Sequence, residues 1–194
     1  MSLFQLASYL GWAGVYALVL SGVVLLVARS AGRPIRGWGA ALLLLTLFFL
    51  ALTMHPFPNR ATVCQGYVPP PQLRPFAFVE GFRYVAETAT GPLDWVRSRI
   101  VSSSIMNLVL CGAIGLAFAH VRRGWGPALV FALLLTFGVE LTQLTGIWGL
   151  YACPYRQFDV DDLILNTLGV MSGVALARWR ATGGRLSRRD IGNG

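Results

Sequence analysis

The chain has 194 residues, 55% of them hydrophobic and only 12% charged, with a mean hydropathy of +0.61. Soluble domains carry about 25% charged residues, so a soluble globular fold is excluded, and apolar runs near the ~20 residues that cross a bilayer core account for the excess. The net charge of +8 comes from arginine alone, and the arginines flank apolar runs instead of forming one stripe interleaved with aromatics; that pattern points away from nucleic acid and toward topology and lipid headgroups.

In chain order, five apolar segments stand out, approximately Leu3–Ala28, Trp38–Met54, Ile100–Ala119, Pro127–Trp148 and Val160–Ala177. The expected fold is therefore all-α, a polytopic bundle of about five transmembrane helices. The first segment lacks the basic start and small-residue cleavage pattern of a signal peptide and reads as a retained helix. Residues 1–36 hold this helix and a basic link, 37–180 the main membrane domain with a loop at 55–99, and 181–194 a basic tail expected to be disordered. Gly and Pro punctuate the links at 29–36 and 121–127. The loop contains the run Pro69-Pro-Pro71 and then Phe76–Val101, an apolar–charged mixture suited to short interfacial helices covering a site.

Arginine counts set the orientation. Arg29, Arg33, Arg36, Arg122, Arg123, Arg178, Arg180, Arg185, Arg188 and Arg189 fall on one face of a five-crossing topology. Arg60, Arg74, Arg83, Arg97, Arg99 and Arg156 fall on the other, with six carboxylates for company: Glu80, Glu87, Asp94, Asp159, Asp161 and Asp162. Short basic links stay in the cytoplasm, so the N-terminus is expected outside and the C-terminus inside. Cys64 and Cys153 then lie in two external loops, where oxidising conditions favour a Cys64–Cys153 disulfide, while Cys111 reads as a small core residue within the third helix. His55 and His120 fall at opposite faces and cannot cooperate.

The chemistry concentrates in the last two segments. Glu140 interrupts an apolar stretch, with Gln143 on the same helical face; a carboxylate at such depth costs about 2.5–3.5 kcal/mol and faces a partner or a task. Asp159, Asp162, Asn166, Gly169 and Gly173 recur at spacings of three and four and form one stripe, polar at its outer end and suited to close helix packing at Gly169 and Gly173. Asp159 or Asp161 is the expected cap of this helix, and Asp161 points away from the stripe. Arg156 stands just upstream, where a contact with Asp159 or Asp162 is expected.

The array Glu140-x-x-Gln143 with Arg156-x-x-Asp159-x-x-Asp162-x-x-x-Asn166-x-x-Gly169-x-x-x-Gly173 resembles the signature of the VanZ-like family. Asn107 followed by Leu-Val-Leu-Cys-Gly is similar to that family's Asn before an apolar-Pro-Leu-Gly stretch, with Gly112 kept and the Pro absent. Arg74-Pro75-Phe76 resembles its Asn-x-x-Pro-Phe segment. The resemblance spans roughly residues 40–177. It implies a multi-pass protein of the bacterial cytoplasmic membrane; the namesake is associated with low-level teicoplanin resistance.

Three functions are open at this level. The first is binding of a lipid headgroup or lipid-linked cell-envelope precursor in a polar pocket of Asn107, Glu140, Gln143, Arg156, Asp159, Asp162 and Asn166, without a cofactor, with Arg156, Arg97 and Arg99 contacting phosphate. The second is an enzyme acting on a polyprenyl-phosphate-type substrate, in which Glu140, Asp159 and Asp162 are the catalytic candidates and Asp159 and Asp162 hold a divalent cation such as Mg²⁺. The third is a scaffold in which the polar stripe only locks helices together. No Ser/His/Asp order, His-Glu-x-x-His or phosphate loop supports other chemistry.

Overall fold

The computed structural model of the chain describes residues 3–191 except Pro58, Ala61, Gly66, Tyr67 and Pro69, and leaves out the side chains of Leu3, Leu6 and 183–191. Pro69 of the triple-proline run and the side chains of Arg185, Arg188 and Arg189 thus lie outside the described residues. The described chain is all-helical: α1 Leu3–Ser30, α2 Trp38–Met54, α3 Phe78–Thr88, α4 Pro92–Arg97, α5 Arg99–Val121, α6 Trp125–Leu144, a four-residue turn α7 Gly146–Gly149, and α8 Val160–Ile191. Four helices are long and apolar enough to cross a membrane, within Ala7–Ser30, Arg99–Val121, Trp125–Leu144 and Val160–Thr182, and the 17-residue α2 is a shorter apolar companion. The protein is a multi-pass membrane bundle.

The ends of these helices follow from local chemistry. At the end of α1, Gly32 adopts φ +71, and the amides of Gly32 and Arg33 return to the carbonyls of Arg29 and Ala28, a glycine-terminated C-cap. Pro92 starts α4 and Ser98 caps α5, accepting from the Val101 amide. Asp94 receives the Thr90 amide and hydroxyl and the Gly91 amide, bonds that hold its carboxyl below the usual carboxylate range.

Two ends differ from the sequence reading. The fourth span stops at Leu144 instead of Trp148, because Gly146 takes φ +60 and its carbonyl accepts the Tyr151 amide, folding the chain back. The fifth helix runs on past Ala177, through Ile191; no proline interrupts it, and arginine and leucine are good helix formers.

α5 and α8 form the closest pair, joined by α6 and α2. A Cβ on Gly115 would run into the Val170 carbonyl, and one on Gly173 into the Gly112 carbonyl; one on Gly169 would meet the Leu108 carbonyl oxygen at 2.6 Å. Without a hydrophobic driving force between helices in lipid, such backbone approach is what association rests on. Phe49, Cys111, Ile114, Ala132, Val139 and Val170 fill the centre. α1 lies against α2 through the small residues Ala13, Ala17 and Ser21 and leaves most of its apolar surface exposed. The loop 55–98, the turn 145–159 and the first turn of α8 all lie at one end of the bundle. His120 lies at the other, stacked on Trp38 with ring centroids 4.0 Å apart.

Candidate functional site

α2 ends against His55–Pro56. Proline has no N–H, so the Leu52 carbonyl loses the partner that a continuing helix would supply. The Tyr9 hydroxyl of α1 donates to it instead. The next carbonyl, Thr53, accepts from Gln143 Nε2 at 2.8 Å and from the exposed Arg156 guanidinium at 3.2 Å; the Tyr155 hydroxyl donates to Met54 Sδ at 3.1 Å. A cation is well placed at this helix C-terminus, where the dipole is negative. His55 lies beside Tyr9 and Tyr16 at this end.

The carboxylates sit next to this junction. Glu140 of α6 is 2% exposed and accepts the Asp159 amide at 2.8 Å. On the adjoining pair, Asn107 Nδ2 of α5 donates to Asp162 Oδ1 of α8 at 2.7 Å, and Cys111 Sγ donates to Asn166 Oδ1 at 3.3 Å one turn deeper. Glu140 lies within electrostatic reach of Asp162, Asp159 and Arg156. The structure thus brings together Asn107, Glu140, Gln143, Arg156, Asp159, Asp162 and Asn166. It does not form the expected contact of Arg156 with Asp159 or Asp162: among the described residues the one ion pair is Arg74–Glu80. The carbonyl of Thr53 has taken the guanidinium.

Nor is the cluster an open pocket. Glu140, Gln143 and Asn166 are buried, because each bonds to another protein group, and Arg156 is the exposed member. Asp162 Oδ2 and Glu140 Oε1 receive no hydrogen bond from the described residues. Among the described residues no group of three His, Cys, Asp or Glu side chains is placed to hold a metal ion.

The three aspartates divide their work. Asp159 caps α8, accepting the Asp161 amide at 2.8 Å; burial pushes its carboxyl above the usual range, while that bond works the other way. Asp161, read as pointing away from the site, is 4% exposed and holds the loop: Oδ1 accepts the Phe76 amide at 2.6 Å and Oδ2 the Phe78 amide at 2.8 Å. Gln72 joins this anchor, pairing through its backbone with Phe158 and Val160 and through Nε2 with Asp159 Oδ1. Sequence reasoning did not foresee this anchoring role for either residue; the Arg74-Pro75-Phe76 segment was the signal that could have found it. Arg97 and Arg99 lie apart from the cluster, in a separate groove.

Cys64 and Cys153 form a disulfide with Cα atoms 5.8 Å apart across 89 residues of sequence. It ties the loop after α2 to the turn where Gly146 packs under the carbonyls of Tyr151 and Cys153. Cross-links closing long loops contribute roughly 2–4 kcal/mol. Cys64→Ser is expected to reduce stability by that amount, read as a lower melting temperature. Peptide mapping of the parent under non-reducing conditions checks the premise, and two free thiols would remove it.

A family model described as VanZ/LLP1 matches residues 40–181, from the start of α2 to the end of the membrane part of α8. No curated protein and no solved structure matches the chain.

Proposed function

The chain belongs to the VanZ/LLP1 family, and from that premise we propose that it binds the polar head of a membrane amphiphile, a lipid headgroup or a lipid-linked cell-envelope precursor. The observation that carries this reading is that Glu140 and Asp162, from two helices, each keep one carboxylate oxygen without a hydrogen bond from the described residues, with the exposed Arg156 within electrostatic reach of both. Arginine suits a phosphate, and carboxylate oxygens accept from sugar hydroxyls or amines. Placing this end of the bundle outside rests on the arginine-rich opposite face; there the site meets the outer leaflet of a bacterial cytoplasmic membrane, where glycopeptides meet their targets.

A scaffold is the second reading, favoured by the fact that each polar member of the cluster already bonds to protein. A metal-assisted enzyme has less support, since the carboxylates are tied to Asn107 and to backbone amides.

Asp162→Asn and Arg156→Gln separate these readings. Normal abundance with loss of co-purified lipid and altered teicoplanin sensitivity is expected for binding. Collapse of abundance alone would sink it in favour of a scaffold, and divalent-dependent turnover of a polyprenyl phosphate, lost in Asp162→Asn, would replace it with catalysis.

A further inference from the structure

α3, α4 and the first turn of α5 enclose a groove of about 850 Å³ that contains no member of the carboxylate cluster. Its floor is apolar, built from Val85 and Ile100. Two carboxylates line it, and both are committed: Glu80 pairs with Arg74, and Asp94 caps the turn before α4. Two arginines also line it, Arg97 and Arg99. Both are exposed, and neither guanidinium makes an ion pair or hydrogen bond among the described residues.

The position of the groove fixes its surroundings. Arg99 is the first residue of a membrane span, so the two guanidinium groups stand at headgroup level. The flanks of α3 and α4 expose Val79, Tyr84, Leu93 and Val96 at 45–67%, a composition that seats short helices in the interface. From the groove floor, Ile100 leads onto the lipid-facing side of α5, where Ile105 and Val109 are exposed.

We propose that this groove is a second site, independent of the carboxylate cluster, which holds a phospholipid of the adjoining leaflet with its phosphate between Arg97 and Arg99 and its first acyl carbons on Ile100 and Val85. Charge complementarity selects the occupant. With Glu80 paired to Arg74 and Asp94 bonded to the Thr90 and Gly91 amides, though within electrostatic reach of Arg97, the groove still offers two exposed guanidinium groups and an apolar floor, the inverse of a phosphodiester joined to an acyl chain. Tyr84 at the rim supplies an aromatic ring suited to the interface.

The test is native mass spectrometry of the purified chain titrated with phosphatidylglycerol and, separately, with the phosphate-free diacylglycerol of the same chains. Phosphatidylglycerol is expected to bind at least tenfold more tightly than diacylglycerol. Arg97→Gln/Arg99→Gln is expected to abolish that difference and Arg97→Lys/Arg99→Lys to keep most of it. Asp162→Asn is expected to leave it intact, which separates this site from the cluster. Equal binding of the two lipids by the parent, or undiminished preference in the Gln pair, overturns the proposal. So does an equal loss in Arg60→Gln/Arg83→Gln, because general surface charge would then be the cause. An unchanged melting temperature and an intact Cys64–Cys153 bond show that the Gln pair is folded.

Discussion

Gly115→Ala and Gly173→Ala are each expected to remove most of the folded protein from the membrane fraction, although each adds only one methyl group. At both positions the new Cβ would fall on a backbone carbonyl of the facing helix, Val170 for Gly115 and Gly112 for Gly173. A flexible side chain can turn away from such a methyl group, whereas a helix carbonyl cannot, so α5 and α8 must separate along their length. Overpacking a well-packed core typically costs about 1–3 kcal/mol and more where backbone must move, and this pair is the closest in the bundle. The prediction is graded. Gly112→Ala would meet the Gly169 carbonyl at 3.6 Å, an ordinary contact, and is expected to be mild; Gly138→Ala meets nothing within 4 Å and is expected to be silent. Expression level and thermal melting in detergent across the four variants check this, and a Gly115→Ala protein as stable as Gly138→Ala would show that the helices do not approach as described.

That graded outcome marks how far the sequence could be read. The spans were legible because hydropathy needs only composition over some twenty residues, and Trp38–Met54 was read to the residue. The stripe from Asp159 to Gly173 was legible because helical spacing turns sequence separation into one face. Pairing was legible where topology left a single choice, as for Cys64 with Cys153. Gly112 and Gly115 were not read as the counterparts of Gly169 and Gly173, because register between helices is absent from any one helix's sequence. The destination of Arg156 was missed for a related reason: the carbonyl that claims it is open because Pro56, three residues past Thr53, cuts α2 short and lets the chain turn away. Asp161 does point away from the stripe, but what it holds was not legible, because helical periodicity describes only what α8 presents to other helices, and its partners are amides of the segment that leads into α3.

Asp161→Ala is expected to free the α3–α4 segment while leaving the bundle assembled. The Asp161 carboxylate is the point where residues 72–98 meet α8, each oxygen taking one amide of Phe76 or Phe78. Hydrogen bonds to an ionised group contribute about 1.5–3 kcal/mol each. Phe76 also has φ +65, an unfavourable region for a residue with a side chain. Backbone strain of this kind costs on the order of 1–3 kcal/mol and persists only where surrounding contacts impose it. Removing the carboxylate orphans two amides and lets Phe76 relax, so the backbone bonds of Gln72 to Phe158 and Val160 and its side-chain bond to Asp159 become the remaining clasp at this point. Amide exchange in 76–98 should then quicken by more than tenfold, with α5, α6 and α8 unchanged. Asp161→Asn keeps one acceptor oxygen and turns an N–H₂ toward the other amide, so it should fall between the two. The consequences for ligands differ by site. The Asp161→Ala protein should lose the preference for phosphatidylglycerol over diacylglycerol, since α3 forms one wall of that groove, yet keep the Asn107–Asp162 pair, which is built from α5 and α8 alone. Exchange in 76–98 as slow as in the parent would mean that the loop is held by its own aromatic contacts, and Asp161 would return to being a buried residue of the first turn of α8.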